Sequence, residues 1–222
     1  MARMIAMAPL APELPPGVEL HRGHFDAAAQ EALARDVAAV IARAPLYTST
    51  MPKTGAPMSV RMTNCGAYGW FSDKERGYRY EPRHPITGEP WPPIPAALLD
   101  AWERIAGYGA PPQACLVNVY GEEARMGLHQ DRDEKDFAAP ILSVSLGADC
   151  RFRLGGSKRS GPTTSFVLSS GDALVIGGPA RLFHHGVDKI LPTLPQPLPA
   201  KLLAGGARVN LTLRRVDASD AA

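Results

Sequence analysis

Apolar residues along this chain follow two periods. In DAAAQEALARDVAAVIARAP, Leu33, Val37, Val40 and Ile41 recur at helical spacing, with Asp26 placed to cap the start and Pro45 to end the helix. PAALLDAWERIAGYG predicts a second helix with Pro95 in its first turn and Gly107 at its end, burying Leu98, Leu99, Trp102 and Ile105. Both helices are expected to pack on a sheet. The stretch from Thr48 to Pro95 is rich in Pro, Gly and Tyr and shows little periodicity beyond a strand at MSVRMT. After Pro111 the chain breaks into short strands: CLVNVY, PILSVSLG, CRFRL, TTSFVLSS, DALVIGG, FHHGVDKI and RVNLTLRRV. So many short strands at close intervals predict a β-sandwich or barrel, of which the jelly roll is one solution. LPTLPQPLPA cannot sit inside a sheet and is read as a loop before the last strand. With no internal repeat, one β domain with flanking helices is the economical reading.

Composition narrows the class without naming a function. The 222 residues suffice for one sizeable core. A net charge of +2 provides no global basic field, so any case for nucleic acid must be local. Three cysteines (Cys65, Cys115 and Cys150) without a C-x-x-C pair read as reduced thiols in a cytoplasmic protein. MARMIAMAPLAPELPPG lacks the long apolar run of a signal peptide and reads as a flexible arm, and no stretch predicts a membrane span.

Strand alternation then sorts the polar residues. In RVNLTLR, Val209, Leu211 and Leu213 share one face, and Arg208, Asn210, Thr212 and Arg214 share the other. Either the polar face meets water, or it points into the barrel, where two arginines need an anion. A carboxylate matches the guanidinium fork. CLVNVY places Leu116, Asn118 and Tyr120 on one face, adding an amide and a hydroxyl to such a site.

In LHQDRDE, His129 and Asp131 are also two apart and project together from an extended chain. H-x-D supplies two ligands of the 2-His-1-carboxylate triad that holds non-haem Fe(II). By itself it is a weak signal and needs a distant second histidine. RLFHHG offers His184 and His185, which face opposite ways on a strand, and alternation does not choose between them. His21, His24 and His84 lie outside the strand region and are expected to be exposed. Asp133 shares the parity of His129 and Asp131, but by the residues alone it reads better as solvated loop charge. Gln130, Arg132 and Glu134 have the opposite parity and are expected to be solvated.

The ordered set His129-x-Asp131, His185-Gly186 and Arg208-x-Asn210-x-x-x-Arg214 resembles the signature of Fe(II)/2-oxoglutarate dioxygenases. MSVRMTNCGAYGW, CLVNVY, LHQDRDE, PILSVSLG, GGSKR, RLFHHG and ARVNLTLR, in this order, resemble the AlkB family of DNA alkylation-repair enzymes from about the first helix to Arg214. This resemblance implies a double-stranded β-helix, a jelly-roll barrel, at residues 111–216. A flexible arm (1–18), N-terminal helices with a nucleotide-recognition lid (19–110) and a tail (217–222) would complete the chain. It implies iron on His129, Asp131 and His185, and 2-oxoglutarate on Arg208 with Asn118, Tyr120, Asn210 and Arg214, with O2 as the other cosubstrate. A flipped base would lie between Trp70 and His129, with Asp133 beside its exocyclic amine and Tyr78, Arg79, Tyr80 and Arg159 as further contacts.

KERGYRYEPR interleaves cations with tyrosines, as a phosphate-and-stacking surface would, although Lys74, Arg76 and Arg83 read as solvated. Two positions depart from the best-known family pattern: Ile176 stands where a Trp precedes Gly-Gly, and His184 where an aromatic such as Tyr precedes the ligand. The implied reaction is oxidative demethylation of 1-methyladenine and 3-methylcytosine in DNA, preferably single-stranded, releasing formaldehyde and succinate. Double-stranded DNA and RNA are further candidate partners, and a monomer is the default. The same chemistry on methylated RNA or a small molecule is the nearest alternative. A non-catalytic jelly-roll module or a zinc hydrolase would leave the two arginines unexplained.

Overall fold

A computed structural model describes residues 13–192 and 205–219. The N-terminal arm up to residue 12, most of the LPTLPQPLPA loop and the last three residues lie outside them. Among the described residues no helix is long and apolar enough to cross a membrane.

Two antiparallel sheets face each other. The larger has six strands: β1 (Val18–His21), β2 (Val60–Gly66), β5 (Ala114–Tyr120), β7 (Ile141–Gly147), β10 (Ala173–Ile176) and β12 (Arg208–Arg214), in the order β1-β10-β7-β12-β5-β2. The smaller has four: β6 (Met126–His129), β8 (Cys150–Leu154), β9 (Thr164–Leu168) and β11 (His185–Ile190), in the order β6-β11-β8-β9. Non-sequential neighbours in both sheets give the jelly-roll connectivity. A separate hairpin, β3 (Gly69–Asp73) and β4 (Gly77–Glu81), lies outside both sheets.

The strands of the large sheet are apolar on one face and mixed on the other, which separates two cores. On the outer face, Val117, Val119, Leu142, Val144, Leu146, Val209, Leu211 and Leu213 pack against helices α1 (Ala27–Arg43) and α2 (Ala96–Ala101). Between the sheets, Tyr120, Ile141, Leu174 and Ile176 meet Phe152, Leu154, Phe166, Leu168, Val187 and Ile190. Helix α1 starts as its sequence requires: the Asp26 side chain accepts from Ala29 N at 2.8 Å. Helix α2 runs on into a π-turn over Trp102–Ala106, closed by Gly107 at φ 64°. The buried stripe is Leu98, Ala101, Trp102 and Ala106, at i, i+3 and i+4 spacing, with Ile105 half-buried against it, and Leu99 is exposed, contrary to the expectation.

Three further expectations change. Strands β1 and β2 precede residue 111 yet belong to the main sheet. β1 pairs Val18 with Ile176, and β2 runs the length of β5. The sheet therefore does not begin at 111. The aperiodic stretch before Pro95 contains the β3–β4 hairpin, whose alternation is masked by Ser, Asp and Arg on partly covered faces. His84 is buried rather than exposed: its Nε2 lies 2.7 Å from Pro45 O, and its ring packs edge-on to Tyr47 beneath the hairpin. All three cysteines are free and buried, and Cys65 and Cys115 are register partners on β2 and β5.

Gly186, beside His185, lets β6 and β11 approach. A Cβ there would meet Met126 O at 2.5 Å and Gly127 O at 2.9 Å, both rigid backbone. Gly186→Ala should destabilise the protein by about 1–3 kcal/mol through overpacking, read as a lower denaturant midpoint. An unchanged midpoint would refute this account of the close approach.

Candidate functional site

Strands β6 and β11 pair antiparallel with His129 directly opposite His185, their ring centroids 4.6 Å apart. Asp131 follows two residues after His129, just past the end of β6. Its Oδ1 lies 3.5 Å from His129 Nε2 and its Oδ2 lies 3.6 Å from His185 Nε2. One ligand atom from each of the three residues falls within 4.8 Å of the others. The Nδ1 atoms face backbone carbonyls, His129 that of Gly127 at 2.9 Å and His185 that of Phe183 at 3.1 Å. Those bonds require the proton on Nδ1 and leave both Nε2 lone pairs directed at Asp131. Asp131 Oδ2 is buried without a hydrogen-bond partner. Two imidazole nitrogens and a carboxylate oxygen, oriented from behind and converging on one point, fit an Fe(II) ion. His184 turns elsewhere, its Nδ1 3.1 Å from Gly156 O.

The electrostatics of Asp131 depend on Arg214. Burial alone would raise the Asp131 carboxyl, but the Arg214 guanidinium, with Nη2 2.7 Å from Oδ1, and the two histidines hold it well below the usual carboxylate range. Loss of water works against the charged His129 ring, but Asp131 outweighs it and its pKa is raised. A proton on that ring would compete with a metal for Nε2.

Behind the triad, strand β12 turns its polar face into the barrel. Arg208 is fully buried, with Nη2 donating to Ser145 Oγ at 2.6 Å, Nη1 to Ala148 O at 3.1 Å, and Nε to nothing. Among the described residues no carboxylate forms an ion pair with it. Asn118 Oδ1 is also buried without a partner, and Asn210 Nδ2 donates to Ser143 Oγ at 2.7 Å. Tyr120 pairs in register with Arg208, and burial pushes its hydroxyl up despite the nearby guanidinium. A dry guanidinium with spare donors and a hydroxyl beside it fit a dicarboxylate such as 2-oxoglutarate; the unpaired Asn118 Oδ1 is an acceptor and adds nothing to the hold on an anion. Arg214 lines the same cavity, but its Nη atoms are committed to Asp131, Glu134 and Tyr80, leaving only Nε unpaired.

A cavity of about 1030 Å³ joins these parts, bordered by Trp70, Tyr78, Asp133 and Arg159 as well as the triad and the arginines. The β3–β4 hairpin forms its roof. Trp70 and Tyr78 share one face of the hairpin and stack at 5.5 Å, and the Trp70 indole N–H donates to Asp133 Oδ2 at 2.8 Å. Two expected substrate contacts are not brought to the cavity. Arg79 points to the hairpin's other face, over Phe71 at 4.8 Å, and is held by Asp73 and Glu81 at 2.6 Å each. Tyr80 shares the face of Trp70 and Tyr78, but its hydroxyl is buried against Glu134 and Arg214, and burial raises its pKa well above the ordinary phenol.

Strand parity misplaced Glu134. Alternation assumes an extended chain, but β6 ends at His129, and the following loop turns the Glu134 carboxylate fully inward onto Arg181, Arg214 and Tyr80. Arg181 was missed as well. It sits just after the 3₁₀ turn Gly178–Ala180, and a cation between apolar residues, four positions before His185, was its only mark in the sequence. At the departures from the family pattern, Ile176 is buried opposite Val18 and Ile141, and His184 is held by Gly156.

The family model of the 2OG-Fe(II) oxygenase superfamily matches residues 17–214. A Caulobacter vibrioides protein named alpha-ketoglutarate-dependent dioxygenase AlkB homolog is 51% identical over 200 residues, covering 90% of this chain and 88% of that one. A mouse protein named nucleic acid dioxygenase ALKBH1 is 32% identical over 63% of this chain and 44% of its own length. The solved structure of OsALKBH1 superposes with a TM-score of 0.72 at 28% identity, covering 92% of this chain and 99% of that one. The chain belongs to the 2OG-Fe(II) oxygenase superfamily and, within it, to the AlkB family: it is an Fe(II)/2-oxoglutarate-dependent dioxygenase.

Proposed function

We propose that this dioxygenase oxidatively demethylates 1-methyladenine and 3-methylcytosine in DNA, preferably single-stranded, releasing formaldehyde and succinate. The observation that carries the reading is the stacked Trp70–Tyr78 pair, bonded through the indole to Asp133, roofing the cavity that holds His129, Asp131 and His185. An aromatic face above and a carboxylate beside it suit a planar, positively charged base. Methylation at adenine N1 or cytosine N3 creates that charge and blocks pairing, which lowers the cost of flipping the base out. Asp133 is an acceptor, matching the exocyclic amine that adenine and cytosine present. The names of the relatives, AlkB and nucleic acid dioxygenase, support the same substrate class.

In this reading His129, Asp131 and His185 hold the iron. Arg208, Asn118, Tyr120 and Asn210 hold 2-oxoglutarate, with Arg214 keeping Asp131 ionised. When bound, iron, 2-oxoglutarate and O2 supply oxidation of the N-methyl group to N-hydroxymethyl, with succinate and CO2 formed and formaldehyde lost afterwards. The chain's own residues bind, orient and exclude water. The roof sets the depth at which the methyl group reaches the triad, and the dry Arg208 pocket fixes the cosubstrate from behind. Arg125, Arg132 and Arg159 border the cavity and offer charge to the phosphates of the strand entering it.

Incubation with Fe(II), 2-oxoglutarate and single-stranded DNA carrying either lesion should release formaldehyde and restore the base, with methylated RNA run in parallel. His185→Ala should abolish both metal binding and release; wild-type turnover in that variant would refute the ligand reading, and no release by the wild type from either DNA would refute the substrate. Arg208→Lys keeps the charge but loses the fork, so the KM for 2-oxoglutarate should rise roughly 10- to 150-fold, the equivalent of about 1.5–3 kcal/mol for a charge-assisted bond. An unchanged KM would remove Arg208 from the cosubstrate site. Affinity for a single-stranded oligonucleotide should fall with salt, with a slope of about −0.7 per phosphate contact, and a flat salt titration would remove the phosphate-binding rim.

A further inference from the structure

Glu134 lies at the centre of a buried network that joins Asp131 to the hairpin without lining the cavity. Its Oε1 accepts from the Tyr80 hydroxyl of the hairpin and from Arg214 Nη1 at 3.0 Å. Its Oε2 accepts from Arg181 Nη2 at 3.1 Å. Both arginines continue to Asp131. Arg214 Nη2 pairs with its carboxylate at 2.7 Å, and Arg181 Nη1 donates to its main-chain carbonyl at 2.7 Å. Arg181 Nε also donates to Ala139 O at 2.8 Å, pinning the far end of the loop that carries Asp131. The hairpin, the Asp131 loop and the segment before His185 therefore meet on one carboxylate, whose side chain is 0% exposed.

The four charges of Asp131, Glu134, Arg181 and Arg214 cancel. Such a cluster contributes less to stability than an apolar core of equal size would, because all four groups give up water. What it provides is orientation. Removing Glu134's charge would take from Arg181 its carboxylate partner, leave Arg214 with Asp131 alone, and weaken the hold on Tyr80, which Arg214 Nη1 still meets at 3.1 Å. Glu134, Tyr80 and Arg181 do not border the cavity, so their effect on the reaction runs through Asp131 and through the hairpin.

We infer that Glu134 is a positioning residue through which metal held at Asp131 and seating of the β3–β4 hairpin reinforce one another. This rests on the reading of His129, Asp131 and His185 as the metal ligands. A metal that orders Asp131 orders Arg214, hence Glu134 and Tyr80, and so holds the roof carrying Trp70 and Tyr78. By linkage, a seated roof strengthens metal binding by the same factor.

The test uses the full chain and Mn(II) alone, without cosubstrate or DNA. Calorimetry gives the affinity, and amide hydrogen exchange over residues 69–81 gives the seating of the hairpin. In the wild type Mn(II) should slow that exchange about fivefold or more, the lower end of ordinary coupling between sites. Glu134→Gln, which keeps shape and loses charge, should weaken Mn(II) roughly 10- to 100-fold, as loss of groups supporting a metal ligand does, and should erase the response of the hairpin. Tyr80→Phe cuts the Glu134 link to the roof and leaves that of Trp70 to Asp133 in place. It should still bind Mn(II), while the slowing of hairpin exchange by the metal falls well below that of the wild type. Wild-type affinity and a wild-type hairpin response in Glu134→Gln would overturn the inference, even with a lowered melting temperature, since that pattern marks a purely structural role. Should Glu134→Gln not fold, an undiminished Mn(II) response of the hairpin in Tyr80→Phe would overturn it. A wild type that does not bind Mn(II) would instead sink the ligand reading beneath it.

Discussion

Everything in this site is arranged around keeping one buried carboxylate ionised. Asp131 sits out of water between two imidazoles, and burial by itself would raise its pKa. Arg214 prevents this. Because Arg214 is itself buried, it needs further acceptors, which Glu134 supplies, and Glu134 needs Arg181. Each charge taken from water requires the next, until the sum is neutral and the network has crossed from the barrel to the hairpin above it. The two-sheet fold makes this possible by providing a dry space wide enough for the chain of charges.

Arg208 presents the complementary case. Its guanidinium is as deeply buried as any core leucine, yet its described partners are a serine hydroxyl and a carbonyl, with no acid. In the function proposed above, the 2-oxoglutarate dicarboxylate would complete that pocket. The Asp131 network is closed and neutral within the chain; the Arg208 pocket is left for an anion from outside. This contrast separates the part of the site that positions from the part that binds.

The roof is joined to the site by two polar links: the Trp70 indole to Asp133 and the Tyr80 hydroxyl to Glu134. Both acids lie in the short loop after His129, so the loop that carries Asp131 also anchors the hairpin above the cavity. Adjacent residues serve different purposes there because the chain is no longer extended: Asp133 borders the cavity while Glu134 turns beneath it.

That loop also marks where reading the sequence stopped working. Alternation correctly divided β12 into an apolar face of Val209, Leu211 and Leu213 and a polar face of Arg208, Asn210 and Arg214, because side-chain direction along a strand is a local property of the backbone. The Asp26 cap and the jelly-roll strands were legible for the same reason, and the spaced His129, Asp131 and the His184–His185 pair named the donor chemistry. Spacing alone did not separate His184 from His185. The pairing of His185 against His129 across β6 and β11 brings that ring to Asp131. Nor did it reveal that Glu134 is buried, that Tyr80 is locked to it, or that Arg79 faces away. Those outcomes depend on partners 54, 47 and 80 residues from Glu134 and on which side of the hairpin meets the barrel. The sequence by itself determined which groups could bind a metal and an anion. Tertiary structure decided which of them are dry, and burial is what sets the charge, the orientation and the role of each.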